Sequence, residues 1–316
     1  MQQRESARDM AQGKWRGIMG KWLDEKALAG KHTTCPMCGG RDRFRMDDKG
    51  GSGTWICSHC GAGDGFHLLM GVSGMDFREA ARYVEGMAGR VQAVPASPAH
   101  SQDDIREALR RVWGSSVAVS VGDPVHKYLS RRCGITAAPP SLRYHPSLGY
   151  RHEDGTTTKH PAMLAQVVSA DGRALCIHRT YLTDDGRKAD VPTAKKLMSP
   201  ADRLQNVAVR LGRVEHEWLG IAEGIETAFC AAQIHKTGAV WSAISSGILE
   251  SFNPPASVKM LVIYGDNDQS FTGQASSYKL ARRITSERPD VEVRVCIPER
   301  DGFDWADEYA QFNRGN

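Results

Sequence analysis

The sequence predicts a mixed α/β (α+β) protein in three parts: a small cysteine-rich module with flanking helices, a basic α+β segment, and a mostly parallel sheet. Three observations predict it. Four of the eight cysteines fall in two C-x-x-C pairs within residues 35–60. The stretch VQAVPASPAHSQ at 91–102 has two prolines, few charges and no periodicity, and reads as a linker. Beyond residue 214, short apolar runs alternate with helix-patterned segments, which argues for parallel strands joined by helices. At 316 residues and 41% hydrophobic content the chain can bury a core in two or three domains. The expected divisions are 1–90, a linker over 91–103, a basic segment over 104–213 and the sheet domain over 214–316.

The elements follow in order. Trp15, Ile18, Met19, Trp22 and Leu23 recur at helical spacing, so the first thirty residues read as an amphipathic helix packed on the next element. DFREAARYVEGM reads as a second helix, with Phe77, Ala80, Ala81 and Val84 on one face. IREALRRVW is a third, and Pro139–Pro140 break the chain. AMLAQVVSADGRALCIHRTYLTDDGRKA reads as strands joined by Asp-Gly turns. Four strands follow, EWLGIAE, AVWSAIS, VKMLVIYGD and VEVRVCIP, with IETAFCAAQIH and QASSYKLARRI as helices between them.

The start, MQQRESARDMAQGKWRG, is too charged for a secretory signal, and no apolar run approaches a membrane span. The expected compartment is the reducing cytoplasm, with no membrane partner, where paired cysteines suggest metal before disulfide. The net charge of +4 divides unevenly: residues 124–213 carry 15 Lys/Arg against 7 Asp/Glu, and residues 214–316 carry 9 against 15. A basic segment beside an acidic one fits a polyanion-binding surface next to a metal site; it also fits two solvated surfaces of opposite sign.

Cys35, Cys38, Cys57 and Cys60 have the spacing C-x2-C-x18-C-x2-C, which suits a four-thiolate structural zinc site. His32 and His59 are near but not needed to complete the set, and a redox C-x-x-C is the weaker reading because two matched pairs are present. If RDRFRM is a strand, Arg41, Arg43 and Arg45 share one face while Asp42, Phe44 and Met46 share the other. The arginine face would then meet phosphates or bases. Trp55 is either a stacking platform or core.

Acids collect at strand ends in the last hundred residues. Glu223 ends EWLGIAE, Asp266 and Asp268 lie in GDND, and Asp304 and Asp307 lie in GFDWADEY. In an open parallel sheet, ligands bind at the carboxyl ends of strands, so these acids would face one crevice. Clustered carboxylates repel, and Mg²⁺ or Mn²⁺ relieves that repulsion and supports phosphoryl transfer. GDND alone could equally be a turn. Cys133, Cys176, Cys230 and Cys296 lack an activating motif, and three of them sit in apolar contexts that suit core. Arg179, Lys195 and Lys196 are expected at phosphates, and His178 is read as a hydrogen-bonded hairpin residue.

The segment HTTCPMCGGRDRFRMDDKGGSGTWICSHCGAGDGF is very similar to the zinc ribbon of primases carried by satellite phages, plasmids and integrative elements. EGIETA, GDND and FDWADEY resemble the three acidic motifs of a Toprim domain, a Rossmann-like parallel sheet, in the expected order. SLRYHPSLGY, HPAMLAQVVSADGRALCIHRTYL and AKKLM resemble the basic subdomain that precedes it. The resemblance covers nearly all of residues 30–310. It implies that Glu223, Asp266, Asp268 and Asp304 hold a catalytic metal or activate the attacking hydroxyl, with Asp307 as a further ligand. It also implies a single-stranded DNA template and ribonucleoside triphosphates as substrates. Relatives often continue into a helicase; these residues contain no G-x-x-x-x-G-K-[ST], so a separate replicative helicase is the expected partner. The resulting expectation is a DNA primase, with a zinc and Toprim recombination mediator or a Toprim nuclease as alternatives.

Overall fold

The computed structural model describes residues 6–57, 60–94, 101–152 and 154–315. The chain forms two compact units, Met1–His100 and Ser101–Asn316. Part of the expected linker, 95–100, and His59 lie outside the described residues.

In the first unit the expected long helix is broken into α1 (Ala7–Ala11), α2 (Trp15–Ile18), a 3-10 turn (Met19–Lys21) and α3 (Glu25–Leu28). Gly13, with φ of +75°, ends the first piece in the left-handed region that glycine adopts without strain. The apolar face survives the break. Trp15, Ile18, Met19 and Leu23 are buried, and Trp15 meets Phe66 edge-on at 5.0 Å. Strands β1 (Phe44–Met46), β2 (Trp55–Cys57) and β3 (Gly61–Gly63) form an antiparallel sheet in that order. Helices α4 (Gly65–Ser73) and α5 (Phe77–Ala88) close the unit, capped by Asp64 and Asp76. Trp55 is core, stacked on Phe44 at 6.0 Å. Ala80, Val84 and Ala88 bury the inner face of α5, but Phe77 is 59% exposed. As the first residue of the helix it leans on Phe66 at 5.4 Å instead of entering the core.

The second unit opens with α6 (Gln102–Gly114), capped by Ser101, so the helix begins inside the stretch expected to be linker. Next come β4 (Val117–Ala118) and α7 (Pro124–Cys133), followed by β5 (Leu142–Arg151), β6 (Thr157–Ser169), β7 (Ala174–Tyr181), β8 (Lys195–Leu197) and β9 (Val207–Ala208). These strands form an antiparallel sheet of order β4-β5-β6-β7-β8, with β9 paired to β6. Both Asp-Gly turns occur as expected: Gly172 and Gly186 take φ of +86° and +74° where the chain reverses after β6 and after β7.

The remaining elements are β10 (Trp218–Ala222), α8 (Ile225–His235), β11 (Val240–Ser242), α9 (Ser246–Ser251), β12 (Met260–Tyr264), α10 (Thr272–Glu287), β13 (Glu292–Cys296) and α11 (Trp305–Gly315). The sheet order is β11-β10-β12-β13, and every pairing is parallel. Ala222 pairs with Tyr264, and Tyr264 with Cys296, so three strands end level with one another. One continuous core runs through both sheets and takes in Cys133, Cys176 and Cys230; Cys296 is half-buried. No helix among the described residues is long and apolar enough to cross a membrane.

Candidate functional site

Two clusters carry chemistry. In the first unit, the Sγ atoms of Cys35, Cys38, Cys57 and Cys60 all lie within 4.8 Å of one another. Each C-x-x-C pair is a tight turn; Cys35 N–H donates to Gly40 O at 2.9 Å, and Gly39 takes φ of +70°. Burial, with neighbouring thiols added, pushes the Cys35 thiol up to about 11. As thiolates, four sulfurs this close would repel one another unless a cation joined them, and the set fits zinc.

The arginines between the pairs do not share a strand face. β1 begins only at Phe44, and Arg41 and Asp42 form a turn in which Asp42 takes φ of +50°. That turn brings the chain back from the first knuckle and cancels the period of two on which the expected face depends. Arg41 and Arg43 are exposed. Arg45 is half-buried in the ladder, and its Nη2 lies 3.5 Å from Asp47 Oδ2.

In the second unit a pocket of about 220 Å³ lies at the carboxyl ends of the parallel strands. Glu223, Glu226, Asp266 and Asp304 line it, together with Arg132, Lys188, Lys195 and His178. Glu223 follows β10 and Asp266 follows β12, neighbours in the sheet. Asp304 is fixed from both sides. Asn267 N–H donates to Phe303 O at 2.9 Å, and Trp305 Nε1 donates to Gly265 O at 3.0 Å. Burial, reinforced by the charges of Asp304 and Glu223, pushes Asp266 up to about 7.

Asp268 and Asp307 do not line the pocket. Asp268 accepts from the Ser270 hydroxyl and from the backbone N–H groups of Ser270, Thr272 and Gly273, and although burial opposes them these bonds hold its pKa down. Asp304 and Asp307 cap α11 reciprocally: Asp307 N–H donates to Asp304 Oδ1 at 2.8 Å, and Asp304 N–H to Asp307 Oδ2 at 3.2 Å.

Of the three expected basic contacts, only Lys195 reaches the pocket. Thr180 pairs with Lys195 and His178 with Leu197, which sets these four on one face of the hairpin. Arg179 and Lys196 take the other face. Arg179 donates to Tyr181 Oη and Leu197 O, and Lys196 Nζ stands 3.6 Å from the centre of the Tyr150 ring. His178 sits in the hydrogen-bonded hairpin as expected, paired with Ala165 and Leu197, while its buried Nδ1 has no partner among the described residues. Burial first, then the Lys195 charge, brings its pKa down to about 4, so the ring is neutral.

The sequence reading missed Arg132, Lys188 and Glu226. Arg132 Nη2 lies 3.5 Å from Asp304 Oδ2. Glu226 is 6% exposed, and its Oε2 accepts from Lys195 Nζ at 2.7 Å while Oε1 accepts from Tyr128 Oη. Burial would raise its pKa, but the Lys195 charge and these bonds hold it well below the usual range. The available signal was EGIE itself, two acids three apart where a strand runs into a helix.

Comparison with known proteins now adds to this geometry. Residues 30–66 match the zinc-binding domain of primase-helicase, residues 218–313 match the Toprim domain, and residues 103–211 match a domain of unknown function. The chain carries primase-type zinc-ribbon and Toprim domains. Among solved structures it is similar to a DNA primase domain from Pseudomonas aeruginosa, at 13% identity over 52% of each chain with a TM-score of 0.37. It therefore spans about half the length of that structure. The DnaG catalytic core matches at 10% identity over 66% of this chain and 74% of that one, with a TM-score of 0.43. The primase fragment of the bacteriophage T7 primase-helicase protein matches at 10% identity over 90% and 96%, with a TM-score of 0.38. The Toprim match implies a divalent cation, and the donor set fits one: Glu223, Asp266 and Asp304 face one space, and burial beside the other two charges pushes Asp266 up to about 7.

Proposed function

We propose that the chain is a DNA primase of the mobile-element type, a DNA-dependent RNA polymerase that makes short primers on single-stranded DNA from ribonucleoside triphosphates. The observation that carries this reading is the pocket with four carboxylates and three cationic side chains around one space, in a chain that also has a primase-type ribbon. Mg²⁺ or Mn²⁺ held by Glu223, Asp266 and Asp304 would lower the pKa of a primer 3′-hydroxyl and steady charge on the departing pyrophosphate.

The chain's own residues do the rest. Lys195, Lys188 and Arg132 bind the triphosphate by charge, Arg132 through a planar fork that matches phosphate oxygens. Lys195 gives one donor to Glu226 and keeps two for ligand. Glu223 acts as general base or as metal ligand. Asp268 and Asp307 serve the site through the loop and the cap they hold, which place Asp266 and Asp304. The ribbon, stapled by structural zinc on Cys35, Cys38, Cys57 and Cys60, carries template through Arg41 and Arg43. A separate replicative helicase supplies the unpaired strand.

Incubation of the full chain with single-stranded DNA, ribonucleotides and Mg²⁺ or Mn²⁺ tests the reading. Oligoribonucleotides support it. No product points to a recombination or replication mediator, and shortened DNA to a Toprim nuclease; either result overturns it.

A further inference from the structure

Glu226 lines the pocket, and both of its oxygens are engaged by neighbours on the basic side of the unit. Tyr128 comes from α7, which also carries Arg132, and Lys195 comes from β8. Glu226 itself stands in the first turn of α8, one helical turn after Glu223. A single buried carboxylate therefore ties three elements together at a pocket lined by both acids and bases.

The need for such a tie follows from charge. Lys195 is a compact cation on a flexible four-carbon stem, with a side chain 37% exposed. It shares its pocket with Glu223, Asp266 and Asp304. An unanchored ammonium there would be drawn to those carboxylates, since opposite charges within a few ångströms in a partly buried site attract far more strongly than in water. It would then occupy the donors that a divalent cation needs and leave none of its own for phosphate.

We infer that Glu226 is a positioning residue that holds the Lys195 ammonium away from those three carboxylates, so that the pocket can take a divalent cation and a phosphate together. His178 fits this arrangement as a neutral neighbour on the same face as Lys195, adding no competing charge to the carboxylate. The inference rests on the polymerase reading for its phosphate, but its cation half can be read without any turnover.

The test is Mn²⁺ titration of the zinc-loaded full chain by calorimetry, alongside primer synthesis. Glu226→Gln keeps the shape of the side chain and removes its charge. It should weaken Mn²⁺ binding roughly tenfold, the scale of one hydrogen-bonded charge pair. Adding Lys195→Met should restore Mn²⁺ binding while leaving nucleotide affinity low, because the displaced ammonium is gone. Lys195→Met alone should leave Mn²⁺ affinity at or above wild type. A merely structural Glu226 would give no recovery in the double variant. Should Glu226→Gln melt too early to titrate, Glu226→Asp makes the same comparison with the carboxylate withdrawn by one carbon.

Unchanged Mn²⁺ affinity in both Glu226 variants, or loss without recovery, overturns the inference even if the wild type makes primers. Recovery in a chain that makes no primers upholds the positioning role and overturns the polymerase reading. A wild type that binds no Mn²⁺ overturns both.

Discussion

The cysteine cluster and the acidic pocket both suit a cation, and they are built in opposite ways. The thiols come from two local knuckles joined by a short ribbon. The pocket gathers α7, β7, β8, the ends of β10 and β12 and the start of α11; Tyr128 and Glu226 are 98 residues apart in sequence. Burial, with like groups close by, raises the pKa in both, Cys35 to about 11 and Asp266 to about 7. Four thiolates fill a tetrahedron and leave no open position, whereas carboxylates and cationic groups around one open space leave room for substrate. A closed ligand set is structural, and an open one next to countercharge is where chemistry can happen.

That contrast predicts its largest effect in the ribbon. Structural zinc contributes about 10–16 kcal/mol of folding free energy in small zinc modules. Chelating zinc from the full chain should expose residues 35–60 to protease while a fragment from about residue 101 onward survives, because the second unit has its own core. A native protein without zinc, or a ribbon that resists protease after chelation, would break the comparison.

The pocket should respond in the opposite sense, losing activity and gaining stability. Asp266→Asn should reduce primer synthesis at least a hundredfold with DNA binding retained. The folded chain holds a proton on Asp266 up to about pH 7, while the unfolded chain releases it near 3.8. Between those values the folded state binds more protons, so without divalent cation stability falls as pH rises and levels off above 7. Asp266→Asn removes that penalty. It should melt with the wild type near pH 4 and be more stable by about 1–3 kcal/mol at pH 7.5. Mn²⁺ affinity of the wild type should climb about tenfold per pH unit up to 7 and then flatten. Thermal melts with chelator and Mn²⁺ titrations across that range check both; equal melting of the two chains at pH 7.5 would remove Asp266 from the crowded cluster.

What could be read in the sequence divides along the same line. The Cys spacing, the Asp-Gly turns and the alternating strands and helices after 214 are local signals, and the fold class follows from them. The acids at strand ends were legible because a parallel sheet puts its strand ends together, which brought Glu223, Asp266 and Asp304 to one pocket. Asp268 and Asp307 carry the same chemistry, yet their oxygens went to caps, a choice made by the backbone of two particular loops. Arg132, Lys188 and Glu226 escaped notice because their meaning arises only when α7, β8 and α8 meet. Where period-two reasoning met a real strand, as at β7 and β8, it separates Lys195 from Lys196. Where the strand was assumed, as at Arg41–Arg43, it failed.

The two faces of that hairpin allow a sharper test within a single dipeptide. Lys195→Met should raise KM for ribonucleotides and lower kcat/KM by ten- to a hundredfold, as expected for the loss of a charged contact of about 1.5–3 kcal/mol. Lys196→Met should leave kcat/KM within about threefold and cost about 0.5–2 kcal/mol of stability through its lost contact with the Tyr150 ring. Steady-state kinetics paired with urea denaturation checks the split. Equal kinetic losses in the two variants would mean that the faces are not distinct.

The smallest effects belong to the ribbon arginines, where the structure changes what should be expected. Three arginines on one strand face could have read base edges in register. Instead Arg45 is half-buried beside Asp47, while Arg41 and Arg43 stand exposed on a turn. Exposed guanidinium groups at a turn, with no partner among the described residues fixing their planes, would serve as phosphate contacts, and phosphates carry no sequence. Arg41→Ala and Arg43→Ala should each weaken DNA binding a few-fold at low salt and lower the slope of log affinity against log salt by about one. Initiation should fall equally at every start site, and lowering the salt should restore it. Arg45→Ala should shift ribbon stability by under about 1 kcal/mol, as expected for a part-exposed ion pair, and leave the salt slope alone. Mapping primer start positions at two salt concentrations tests this. If Arg41→Ala or Arg43→Ala moved initiation from some sites to others at equal salt, the turn would be reading bases, and the ribbon would be more than a charged clamp on a zinc staple.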